Sequence, residues 1–259
     1  MSVARRGSLG ARWLLVSVAF AIGACSSSAD TYPDAGGWSL GAGDGPTSST
    51  HGLRSDGPSD GPTPAAYEAS IRRIGGELRS RMRFSHHAGC PVRWKDLRYL
   101  RMTYVDFDGN ARTGELVVNK TFAVAVTKIF ERLYEARWPI ARMRLVDDYR
   151  GIDRRSMAAN NTSGYNCRHV AGTRDWSAHA YGAAIDINPV QNPYLTESST
   201  EPPAGRRYAA IDRSTDAHVP PGAIRAGDVV IRAFAGIGWE WGGDWVTAKD
   251  FQHFSAAEV

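Results

Sequence analysis

The chain has 259 residues, 42% hydrophobic and 22% charged, with 31 Lys and Arg against 27 Asp and Glu, which suits one folded domain and at most two. Aromatic content of 10% argues against wholesale disorder, and no apolar run approaches the ~20 residues that span a bilayer, so a polytopic membrane protein is excluded. The net charge of +4 is unevenly spread: residues 1–25 carry +3, residues 26–64 carry −4, and residues 65–259 carry +5.

Residues 1–24 begin with Arg5, Arg6 and Arg12, continue through an apolar run from Trp13 and end in small residues before Cys25, which is how secretory signals are built. Ile22-Gly23-Ala24-Cys25 resembles a bacterial lipobox, which implies lipidation of Cys25 after cleavage and anchoring at the cell envelope. Arg5-Arg6 stands without most of a twin-arginine signal, so the general secretory route is expected. From Ser26 to Pro64, 30 of 39 residues are Ser, Thr, Asp, Gly or Pro, too little apolar surface to offset the entropy of ordering. Residues 25–64 therefore read as a tether, and the folded part as residues 65–259 with a core over 90–256. Its mild positive charge suits a polyanionic envelope as well as simple solubility, and no Lys/Arg cluster points to nucleic acid.

Tyr67, Ile71, Ile74, Leu78 and Met82 recur at helical spacing, which predicts a lead-in helix over 65–84, weakened by Gly75-Gly76. Strand-like segments 97–105 and 114–118 flank Asp108-Gly109 and predict a hairpin. Phe122, Val126, Ile129, Phe130 and Leu133 mark an amphipathic helix ending near Pro139. Residues 140–146 are a further strand candidate, and 228–235 a short helix. Helices mixed with hairpin strands predict an α+β domain, a small antiparallel sheet with flanking helices, not a doubly wound parallel sheet. With Cys25 taken by lipid, Cys90 and Cys167 are the remaining pair, and an oxidising compartment favours a disulfide between them.

The chemistry is concentrated in two blocks. Ser177-Ala178-His179-Ala180-Tyr181-Gly182-Ala183-Ala184-Ile185-Asp186 places an imidazole and a carboxylate on either side of a glycine turn and a short apolar strand. Near the C-terminus, Gly238-Trp239-Glu240-Trp241-Gly242-Gly243-Asp244-Trp245 is followed by Asp250-Phe251-Gln252-His253-Phe254. This pattern resembles the zinc D-alanyl-D-alanine carboxypeptidases and L-alanyl-D-glutamate endopeptidases of bacteria and phages over roughly residues 97–256.

The resemblance implies that His179, Asp186 and His253 hold one Zn2+. Two neutral imidazoles and one carboxylate suit that ion and leave a fourth tetrahedral position for water. It also implies that Asp250, three residues before the last His, is the general base. Many carboxypeptidases of this kind use Glu there, and Asp resembles the phage endopeptidase branch; Glu240 and Asp244 are the competing bases. An arginine that binds substrate carbonyl or carboxylate falls on Arg150, with Arg168 the second choice. Ser177, Tyr181 and Trp241 are candidates for substrate binding, although Ser177 also reads as a hydroxyl orienting His179 or Asp186, and Trp239, Trp241 and Trp245 as packing beneath His253. Trp176 is a further candidate for lining the cleft. His51, His86, His87, His169 and His218 lack a ligand-spaced partner.

The expected function is a lipid-anchored, monomeric zinc metallopeptidase that cuts a bond in the stem peptide of peptidoglycan. D-Ala-D-Ala and L-Ala-D-Glu bonds both remain open. The rival readings are a non-catalytic wall-binding module on the same fold and a zinc peptidase for other short peptides.

Overall fold

A computed structural model describes residues 65–257. The signal over 1–24, lipidation of Cys25, the tether over 25–64 and His51 lie outside the described residues. Within them, helices and three small antiparallel sheets alternate, and the α+β expectation holds.

The first sheet runs β1 (Ala69–Arg73), β2 (Leu97–Val105), β3 (Ala111–Asn119), all antiparallel. The expected hairpin is β2–β3, with β3 starting three residues early. The helix expected over 65–84 is instead the edge strand β1 followed by a short helix, α1 (Gly76–Arg81). Gly75-Gly76 interrupts any longer helix, while the free edge of β2 offers residues 69–73 a complete ladder. Helical spacing holds only over the second half, where Ile74, Leu78 and Met82 pack together beneath Tyr99 and Val117.

Alternation along β2 splits the core. Leu100, Met102 and Tyr104 face α2 (Ala123–Glu135), whose Val126, Ile129, Phe130 and Leu133 stripe is buried as predicted. Leu97 and Tyr99 face the smaller cluster with Leu145, Tyr165 and Cys167. Residues 140–146 do not form the expected strand. Asn188 Oδ1 accepts from Ala141 N–H and Asn161 Oδ1 from Arg144 N–H, so side-chain amides take the place of a ladder there. The segment then tightens into a 3₁₀ turn at Val146–Tyr149, ahead of α3 (Asp153–Ala158).

The second sheet places the site. It is formed by β4 (Ala184–Asp186) and two later strands, in the order β4, Ala256-to-His253, Trp241-to-Trp239. Between them lie the paired stubs β5 (Tyr194–Leu195) and β6 (Thr200–Glu201) and the helix α4 (Val229–Ala235), whose N-cap Asp228 accepts from Ile231 N–H as the predicted 228–235 helix requires. The remaining strands are β7 (Trp239–Trp241), β8 (Lys249–Asp250), which pairs with β5, and β9 (His253–Ala256).

Cys90 and Cys167 are joined by a disulfide across 77 residues of sequence. It ties the segment before β2 to the residue preceding Arg168. Cys90→Ser with Cys167→Ser is expected to lower stability by roughly 2–4 kcal/mol, since the bridge restricts the unfolded chain. An unchanged denaturant midpoint in the double variant would refute that.

Candidate active site

Strand register brings the two blocks together. In the β4–β9 ladder Asp186 is paired directly with His253, although 67 residues separate them. His179 arrives from a 3₁₀ turn, Ala178–Tyr181, just ahead of β4. Ser177 Oγ accepts the His179 backbone N–H at 3.3 Å and starts that turn; Gly182, in the left-handed region at φ 67°, ends it. Any side chain at 182 would sit 2.5 Å from Asn119 N, so glycine is needed both for the φ and for the approach to β3.

The result is a buried cluster. His179 Nε2 lies 3.2 Å from Asp186 Oδ2 and 3.3 Å from His253 Nδ1, and His253 Nδ1 lies 2.9 Å from Asp186 Oδ1. One ligand atom from each of the three falls within 4.8 Å of the others. On the far side of its ring, His179 Nδ1 is 2.7 Å from the Gly164 carbonyl oxygen. A carbonyl can only accept, so Nδ1 carries the proton and Nε2 turns its lone pair to the cluster. That donor set, two imidazole nitrogens and one carboxylate, fits a divalent metal such as zinc. The group formed by His87, Cys90 and Cys167 does not, because its sulfurs are consumed by the disulfide.

Charge is concentrated here. Burial by itself lowers the His179 imidazole, but the adjacent Asp186 carboxylate outweighs it and the net shift is upward. For His253 burial prevails over the same carboxylate, and its pKa falls. Asp186 is held far below the usual carboxylate range, its burial outweighed by the two imidazoles. Asp250 goes the other way: burial, then repulsion from Asp186, push its carboxyl well up. Its Oδ1 is buried without a hydrogen-bond partner, an acid beside the cluster and outside it.

The competing acids do not come so near. Glu240 points away from the buried Trp239 and Trp241, and Asp244 is exposed. Of the two arginines, Arg150 is exposed at the left-handed end of the Val146–Tyr149 turn and makes no contact with the cluster. Arg168 is the nearer. Its charge lowers both His179 and His253, its Nη2 is 2.8 Å from Asp153 Oδ2, and its Nε is buried without a partner.

Among the aromatic candidates, Trp241 is 6% exposed and donates Nε1–H to the Phe251 carbonyl, so it packs under the site and offers no face to a substrate. Tyr181 is half-buried, and Trp176 stacks on His169 at 4.0 Å between centroids. The aromatic ring beside the cluster is Trp245, 39% exposed with its centroid 5.4 Å from that of His253. Motif spacing alone does not separate it from its two buried neighbours. Nor did it single out Asp153 or Gly164, which act through an ion pair and a backbone carbonyl and leave no side-chain pattern. His86 bonds the Tyr165 hydroxyl at 2.6 Å, away from the cluster.

Residues 171–256, which hold all three cluster residues and Asp250, match a family model described as D-alanyl-D-alanine carboxypeptidase. The match supports a peptidase. It spans both motif blocks of this candidate peptidase and the glycine-rich segment between β7 and β8. No curated protein and no solved structure matches the chain.

Proposed function

We propose that the protein is a zinc-dependent peptidase that hydrolyses a bond in the stem peptide of peptidoglycan, exported and held at a membrane by lipid on Cys25. The observation that carries this reading is the convergence of His179 Nε2, Asp186 and His253 Nδ1 beside the buried, unpartnered Oδ1 of Asp250. Zinc bound there would supply Lewis acidity, activating water and polarising the scissile carbonyl.

The chain's own groups would do the rest. Asp250, with its raised pKa, takes a proton from the attacking water and returns it to the departing amine. Arg168, already oriented by Asp153, presents its guanidinium to the substrate's carbonyl or carboxylate oxygens. Gly164 fixes the His179 tautomer, and Ser177 fixes the turn that carries it. Aspartate at 250, where many carboxypeptidases of this type have glutamate, favours the endopeptidase branch.

Mass analysis of fragments released from purified peptidoglycan identifies the bond directly. A release of peptide fragments is expected; intact stems after prolonged incubation with zinc-loaded protein would leave a wall-binding module as the better reading.

Gly242 gives a finer test. A Cβ there would lie 2.7 Å from Asp250 O, 3.0 Å from Asp250 Cβ and 3.3 Å from His253 Cβ. Gly242→Ala is therefore expected to shift base and ligand together and to reduce kcat/KM by roughly 10–100-fold, the scale of disturbed support around a metal site. Activity within twofold of the parent would show that the strand end yields without consequence.

A further inference from the structure

One face of the sheet β1–β2–β3 packs against α2 through Leu100, Met102, Leu116 and Val118, and the other is covered only in part. The smaller core cluster covers that second face at the Leu97 and Tyr99 end. Towards the β2–β3 turn the face is open, and a cavity of about 740 Å³ lies between it and the segment 141–144. A smaller hollow of about 140 Å³ adjoins it, sharing Arg101 and Thr113. None of the residues lining either one belongs to the His179, Asp186 and His253 cluster.

Arginine dominates the lining. Register places Arg72 beside Tyr99 and Arg101 beside Glu115 on this face, and Arg142 and Arg144 project from the opposite wall. All four are exposed, and none has a carboxylate within 4.0 Å among the described residues. The two acids lining the larger cavity are already engaged: Glu115 accepts two hydrogen bonds from Arg81, at 2.9 and 2.8 Å, and Asp148 lies 3.8 Å from the same guanidinium. A fifth arginine, Arg112, is paired with Asp106. Arg142 donates one N–H to the Ala159 carbonyl and Arg72 lies over the Tyr99 ring, but no carboxylate neutralises any of the four. Four guanidiniums without a counter-ion around one concavity repel each other, and an anion with several acceptor oxygens relieves that repulsion.

We propose that this cavity binds a base-free polymer of phosphate groups. Several features select that occupant. The face is concave, and its apolar floor residue Met143 is 1% exposed, so nothing protrudes to enter a bilayer. Its aromatic rings, Tyr99 and Tyr104, are buried at 2% and 9% exposure and give bases no platform for stacking. Guanidinium forks match phosphate oxygens two at a time, and a chain of phosphates can engage all four arginines where a single anion cannot.

The test is calorimetric titration of the purified protein with tripolyphosphate, with inorganic phosphate, a single-stranded oligonucleotide and vesicles containing phosphatidylglycerol in parallel arms. Tripolyphosphate is expected to bind, and Arg101→Glu with Arg144→Glu to weaken it at least 10-fold. Arg206→Glu with Arg207→Glu makes the same charge change elsewhere and is expected to leave affinity within threefold. Should the first pair fail to fold, judged by its melting curve, Arg101→Gln with Arg144→Gln replaces it, with the same direction expected. Tripolyphosphate binding no tighter than inorganic phosphate, or equal losses in the groove and control pairs, would overturn the proposal. So would groove-dependent binding stronger for the oligonucleotide or the vesicles than for tripolyphosphate. None of these readouts depends on peptidase activity.

Discussion

Asp250→Asn is expected to lower peptide turnover by roughly 10²–10⁴ while zinc content stays that of the parent. The substitution keeps the shape and removes the proton acceptor. Its basis is the contrast between two buried carboxyls: Asp186 is stabilised as an anion by two imidazoles, whereas Asp250 has an oxygen with no partner and a pKa driven up by burial and by Asp186. Two acids whose environments push their pKa values apart divide the roles of ligand and proton carrier. Loss of zinc in the variant would make Asp250 a ligand. Near-parent cleavage with zinc retained would move the base to Glu240 or Asp244, against their exposure to solvent.

His179→Ala is expected to abolish both stoichiometric zinc and activity. Removing the imbedded imbalance of charge is not the reason, since Asp186 would keep its bond to His253. What is lost is the single donor that comes from outside the β4–β9 ladder, with its lone pair aimed by Gly164. Two remaining ligands leave too many positions open for tight binding. Metal analysis after dialysis against a weak chelator checks this, and one zinc per chain in the variant would remove His179 from the assignment. His253→Ala offers the same measurement from the other strand.

Much of this arrangement was legible beforehand. The strand pattern in 97–105 meets one cluster on each face of β2 and the 3.6-residue stripe in α2 meets the larger of them, so sequence pattern and burial agree. The lead-in segment misled because Ile74, Leu78 and Met82 do pack on one side, while Tyr67 at the same spacing precedes β1 and Ile71 lies within it, paired with Leu100 of β2. Residues 140–146 look like a strand because Ile140, Met143, Leu145 and Val146 are interleaved with Arg142 and Arg144, but side-chain amides from Asn161 and Asn188 claim their backbone. At the site, the cluster residues and Asp250 stood out through motif spacing. Arg168 could not be ranked over Arg150 that way, because its place depends on Asp153 and on the disulfide at Cys167. Trp241 and Trp245 are told apart by burial, Trp241 packed within β7 and Trp245 exposed after the Gly242–Asp244 turn.

The pairing of Asp186 with His253 has a further consequence, for chain length. Their registration depends on a ladder only three residues long, Ala184 to Ser255 through Asp186 to His253. Side chains alternate sides along a strand, so one residue inserted within 184–186 or 253–255 would turn a ligand to the opposite face. The stretch between the strands is held at particular points, where β5 meets β8 beside Asp250 and α4 packs Val230, Ala233 and Phe234 into the core, and is free only in its exposed turns. Changes of length are thus channelled into exposed turns such as 197–199 and 214–216, leaving β4 and β9 as a fixed frame onto which different rims can be spliced.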